Sequence, residues 1–141
     1  MLKRFTVKNY KNFKDEISID FEKSAGYQFS TDCIADGLIT KMLIYGRNAT
    51  GKTNLGKAFL DISATMSDLH RYVSKGIFLN ADSPEDAASF TYVFQFGERE
   101  LIYKYRRVSS LELRAEELII DKTTIYTCDF AEKNMNLLIW R

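Results

Sequence analysis

The sequence is poor in the residues that build covalent and metal-centred sites. Its 141 residues include two cysteines, one histidine, one proline and one tryptophan. Cys33 and Cys128 stand alone, in no C-x-x-C arrangement. With His70 they make too few ligands for zinc unless carboxylates join them, and nothing in the pattern points to such carboxylates. Both cysteines read as reduced structural thiols. No apolar run approaches the roughly 20 residues that span a bilayer, and the opening MLKRFT has no apolar segment of signal-peptide type behind its basic residues. A cytoplasmic chain without membrane contact is expected. Charge of one sign is missing too: 20 lysines and arginines against 19 acidic residues leave +1, which gives no global attraction to nucleic acid or an anionic membrane. The single proline, Pro84, lies in the polar stretch 81–86, the plainest composition shift in the chain. The length suits one domain or part of one.

The octamer Gly46-Arg47-Asn48-Ala49-Thr50-Gly51-Lys52-Thr53 fits the phosphate-loop pattern G-x-x-x-x-G-K-[ST]. It follows the apolar run Met42-Leu43-Ile44-Tyr45, which predicts a strand ending at Tyr45. Beyond it Leu55, Ala58, Phe59, Ile62, Met66 and Leu69 recur at three- and four-residue steps, predicting a helix over about residues 51–74 that stops near Gly76. Such a helix would be a rod of roughly 34 Å with the stripe as core, and His70 would stand late in it as a solvent-edge histidine. Glycines at 46 and 51 permit the backbone angles that turn successive N–H groups inward into an anion nest. The helix start adds roughly half a positive elementary charge at the same place. A triphosphate suits that nest: Lys52 would reach the β- and γ-phosphates, and the Thr53 hydroxyl would ligate a magnesium ion, which prefers hard oxygen donors.

Around this centre the chain reads as strands. Phe5 and Val7 alternate with Arg4, Thr6 and Lys8, residues 11–15 supply turn chemistry, and Ile17, Ile19 and Phe21 alternate again, so the first 22 residues predict an antiparallel hairpin. Residues 22–40 read mostly as loop. Phe90, Tyr92, Phe94 and Phe96 alternate, Gly97-Glu98-Arg99 turns, and Leu101, Tyr103 and Tyr105 continue the pattern. Strands over 113–120 and 123–128 follow, joined by a tight turn at Asp121-Lys122. The aromatic ladder reads as a packed sheet face. As a stacking platform for single-stranded nucleic acid it would need a basic groove, and Lys104, Arg106 and Arg107 make only a thin one. The organisation expected is one partial ATP-binding domain over 1–141, with hairpin, phosphate loop and helix in 1–80 and an antiparallel β-section in 88–130.

The strings FTVKNYKNFKDEISIDF and LIYGRNATGKTNLGKAF together resemble the start of ABC-type ATPases of the SMC, RecF and OLD-like superfamily. Closest in pattern are the stand-alone AAA-family ATPases of bacterial anti-phage and abortive-infection systems. Asn9-Tyr10-Lys11-Asn12-Phe13-Lys14-Asp15 matches the family's hairpin pattern, and Asn48 and Asn54 match its extended phosphate loop. The resemblance implies an α/β P-loop NTPase lobe, ABC-ATPase-like, with a mixed sheet, an antiparallel meander and one long helix after the loop. It implies ATP and Mg2+ as cofactors, held by residues 46–54 with Thr53 on the metal, and it carries Lys11, with Asn12 beside it, to the nucleotide. Lysine there replaces the commoner arginine and loses its bidentate geometry. The partners implied are a second copy in a head-to-tail homodimer, or an assembly with a C-terminal lobe or a nuclease or toxin, in defence or DNA processing, with nucleic acid left open.

Two family parts have no counterpart. No serine-glycine signature loop occurs, and the nearest imitation of the acidic catalytic strand, Leu118-Ile119-Ile120-Asp121, runs into Lys122 and a further β-like stretch, so Asp121 reads as a turn residue. No catalytic residue is therefore assigned. The expectation is an N-terminal lobe that binds ATP and barely hydrolyses it, its apolar tail at 137–141 continuing into more structure. Neither N-K-x-D nor D-x-x-G is present to support a GTPase, and a small-molecule kinase usually begins with its loop strand. A non-catalytic, nucleotide-responsive interaction module is the alternative.

Overall fold

The computed structural model of the chain describes residues 1–23, 26, 31–67 and 77–137. Strands β1 (Leu2–Lys8) and β2 (Ile17–Asp20) form the antiparallel hairpin that alternation predicts, turning Phe5 and Val7 into the core. A short excursion follows: a 3₁₀ turn at Thr31–Cys33, then β3 (Ile34–Ala35) and β4 (Leu38–Ile39), which pair through a turn whose Asp36 and Gly37 both have positive φ. The helix α1 (Lys52–Ser67) comes next. A meander of β5 (Ala88–Phe96), β6 (Arg99–Arg107), β7 (Leu113–Ile120), β8 (Thr123–Asp129) and β9 (Asn134–Leu137) ends the described chain.

Seven strands make one sheet in the order β2-β1-β5-β6-β7-β8-β9, and every neighbouring pair is antiparallel. The expected α/β lobe with a mixed sheet is thereby overturned: the fold is a mostly antiparallel sheet with a single helix among the described residues. The physical reason lies at residues 42–45. A continuous apolar run is the pattern of a strand covered on both faces, yet Met42-Leu43-Ile44-Tyr45 joins no ladder, and Leu43 and Tyr45 are 86% and 89% exposed. No described strand lies parallel to another, so the βα unit expected around the phosphate loop has its helix but not its strand. The pairing of β1 with β5, with Phe5 opposite Tyr92, joins the hairpin to the meander in one surface.

The helix lies on the inner face of the β1–β5 half. Phe59 meets the Phe5 ring edge-on at 5.3 Å, Phe5 sits 5.0 Å from Tyr92, and Phe90 stacks on Tyr105 at 5.0 Å. Ala58 is buried, and Leu55, Phe59 and Ile62 are half-buried against this cluster. Met66, expected in the core, is exposed, because the sheet-facing side of the last turns carries Asp61 and Thr65 instead. Leu69, His70 and the expected helix end near Gly76 lie outside the described residues. Phe90, Tyr92, Tyr103 and Tyr105 are buried and form the packed face of the aromatic ladder, while Phe96 at its end is exposed.

Turn chemistry explains the register of the meander. Gly97 takes φ +60° in the two-residue β5–β6 turn, so Arg99 begins β6 opposite Phe96 rather than belonging to the turn. Asp121 and Lys122 both have positive φ, as a tight β7–β8 turn requires. The edge strand β9 was not predicted; its four residues are exposed and lack a strong apolar period. Among the described residues no helix is long and apolar enough to cross a membrane.

Candidate functional site

Two elements meet at the start of α1, and a third seats the middle of that helix on the sheet. The first is the loop itself. Its left-handed positions are Ala49 (φ +64°) and Gly51 (φ +95°), so the backbone reversal expected at Gly46 is made at Ala49. Thr50 Oγ1 donates to the Arg47 carbonyl at 2.9 Å, and Lys52 Nζ donates to the carbonyls of Gly46 at 2.7 Å and Arg47 at 2.5 Å. The Leu55 N–H makes the first helical bond, to Gly51 O at 2.8 Å. The N–H groups of Lys52, Thr53 and Asn54 precede that bond and have no acceptor within the helix.

The electrostatics of this end run against those of an ordinary helix. The macrodipole favours acidic side chains in a first turn, but α1 has none there and begins with a lysine. Among the described residues no carboxylate lies within ion-pair distance of Lys52; its ammonium is held by carbonyl oxygens alone. Residues 46–50 and Thr53 are exposed. The arrangement concentrates donors and positive charge at one accessible point and suits an anion.

The second element is the β1–β2 turn, which closes the loop from one side. Asn54 Nδ2 donates to Asn12 Oδ1 at 2.7 Å. A Cβ on Gly51 would overlap the Asn12 amide and come within 3.1 Å of the Phe13 ring, so a side chain here would displace Asn12, and the φ of +95° favours glycine independently. The turn is itself clamped from residues 77–87: Lys11 N–H donates to Phe78 O at 2.9 Å, Asn80 Nδ2 to Lys11 O at 2.6 Å, and buried Asn9 gives its amide to Glu85 O and Ala87 O at 2.8 and 3.0 Å. Lys11 turns its ammonium to Ile77 O at 3.1 Å and lies over the Tyr10 ring. Burial, and next the charge of Lys57, lower the Lys11 pKa. Of the two turn residues taken from the resemblance, Asn12 touches the residues that open α1, and Lys11 has its ammonium turned to Ile77 O.

The third element is the seat of the helix on the sheet. Tyr92 OH donates to Ala58 O at 2.7 Å, Tyr105 OH to Asp61 Oδ2 at 2.8 Å, and Arg107 Nη1 stands 3.7 Å from Asp61 Oδ1. Burial raises the pKa of both tyrosines, keeping the hydroxyls protonated as donors. This cluster escaped the sequence reading. Its signal was an acid inside the apolar stripe of the helix and an arginine continuing the alternation of Leu101, Tyr103 and Tyr105.

Asn48 lies in the exposed loop with Gly46, Arg47, Ala49 and Thr50, while Lys52, Thr53 and Asn54 belong to the first turn of α1. Asp121 sits in the β7–β8 turn, where its carboxylate accepts the Glu100 N–H at 2.9 Å, consistent with its reading as a turn residue. Among the described residues no group of three or more histidines, cysteines and acids could hold a metal ion. No protein-family model matches the chain, and no curated protein gives a significant match.

Proposed function

We propose that residues 46–54 bind the phosphates of ATP with Mg2+. The observation carrying this reading is the start of α1: an accessible loop with left-handed Ala49 and Gly51, three N–H groups without helical acceptors, and a lysine where an acid would be favoured. Lys52 would exchange the carbonyls of Gly46 and Arg47 for the β- and γ-phosphates, and Thr53 would hold the magnesium, whose chemistry is to neutralise phosphate charge. Arg47, Asn48, Ala49 and Thr50 would line the loop, with Lys11 adding positive charge from the turn. Following the motif resemblance to ABC-type and AAA-family ATPases, hydrolysis would need an acidic strand and signature loop from another lobe. A homodimer or a nuclease- or toxin-containing assembly in cytoplasmic defence or DNA processing is the proposed setting. A non-catalytic nucleotide-responsive interaction module is the second reading, favoured by exposed Leu43 and Tyr45 directly before the loop.

The test is magnesium-dependent binding of a fluorescent ATP analogue to the chain and to Lys52→Ala, with ATP and GTP as competitors. Lys52→Ala should weaken binding about 100-fold, the loss of charge-assisted hydrogen bonds, and ATP should compete better than GTP. Equal binding by Lys52→Ala, or none by the unsubstituted chain, would overturn the proposal.

A further inference from the structure

We propose that Asn12 is a positioning residue for the phosphate loop: held by the clamped β1–β2 turn, it fixes Gly51 and Asn54 and leaves the N–H groups at the start of α1 free for an anion. The inference deepens the nucleotide-binding reading and rests on it for one of its two readouts.

An asparagine in the first turn of a helix competes for that turn's own N–H groups, because its short side chain reaches them easily. Asn54 does not, since its amide is turned outward to Asn12 Oδ1. On the other side of the same contact, the Asn12 amide lies against Gly51, where an added Cβ would displace it. One side chain thus restrains the residue before the helix and the residue three positions on.

The restraint works because Asn12 is itself immobilised. Both flanks of the turn are bonded to a segment distant in sequence: Lys11 through Phe78 O and the Asn80 amide, and Asn9 through Asn80 N–H, Glu85 O and Ala87 O. Asn9 and Lys11 both hold positive φ, at 54° and 51°, conformations that persist when surroundings over-determine them. The turn is bonded on both flanks, and Asn12 is its hydrogen-bonded contact with the residues that open α1.

The experiment compares Asn12→Ala, Asn54→Ala, the double variant and Asn12→Asp, the last retaining an acceptor oxygen for Asn54. The first readout is affinity for the fluorescent ATP analogue with Mg2+. Each alanine variant should bind about tenfold more weakly, and the double variant no more weakly than Asn12→Ala alone, since that variant already removes the link to Asn54. The second readout is amide hydrogen exchange at Leu55 without nucleotide. It should quicken in Asn12→Ala and return toward the unsubstituted rate in Asn12→Asp, while β5 and β6 amides stay unchanged. Additive affinity losses, or Leu55 exchange indifferent to Asn12→Ala, would overturn the positioning role. Failure of the unsubstituted chain to bind the analogue would overturn the nucleotide reading instead, and the exchange readout would still decide whether Asn12 holds the loop.

Discussion

Asp61 supplies the only carboxylate within ion-pair distance of Arg107 among the described residues, and both side chains are largely buried. Arg107 also donates to Ser110 O at 3.1 Å, but its Nε has no partner. A buried guanidinium tolerates its position only while an anion faces it. Asp61→Ala should therefore lower the unfolding free energy in urea by about 3 kcal/mol, and Asp61→Asn, which keeps an acceptor for Tyr105, should lose less. A loss under about 0.5 kcal/mol, the range of ordinary surface changes, would show that the pair does not hold the helix to the sheet. The candidate site around Lys52 and Thr53 could be put forward from the sequence because its pattern is written in eight consecutive residues. The bond from Tyr105 to Asp61 joins positions 44 apart, and no local pattern specifies which acid meets which hydroxyl.

Residues 42–45 show at the element scale what an apolar run conveys. Four consecutive apolar residues state a preference for burial, but a strand forms only when neighbours supply a ladder and cover. Among the described residues none does, and Leu43 is largely exposed. Leu43→Ser should change the stability of this chain by no more than about 0.5 kcal/mol, whereas truncating a buried leucine costs about 2–5 kcal/mol. A loss in the larger range, measured by urea unfolding, would mean that the segment is packed after all. The β5–β6 and β7–β8 hairpins were legible for the converse reason. Their partners are adjacent in sequence, and their turns announce themselves through Gly97 and the Asp121-Lys122 pair.

For the whole molecule, the buried tyrosines set the alkaline limit of stability. Burial pushes Tyr10 up to about 12 and raises Tyr92, Tyr103 and Tyr105 as well. The unfolded chain ionises its tyrosines near pH 10 while the folded chain keeps these protons. The tyrosine contribution is thus complete below about pH 10 and is lost as pH rises toward the raised values. Lys11, lowered by burial, acts in the opposite direction between its lowered pKa and the ordinary lysine value. Tyr126, Lys3 and Lys8 are raised as well, so the raised groups outnumber Lys11 and decide the sign: urea midpoints should fall steeply above about pH 10, and tyrosinate absorbance should lag behind that of the denatured chain. Coincident titration of folded and denatured protein would refute the burial account. The sequence by itself determined which strand faces turn inward, where the tight turns fall and where the loop gives way to a helix, because these follow from side-chain period and from the backbone angles single residues accept. Only the tertiary structure decided that β1 joins β5 antiparallel, that the run before the loop stays uncovered, that Asn12 meets Gly51 and that Asp61 meets Arg107. Each of these depends on which distant segments come together, a choice made by packing the whole chain at once.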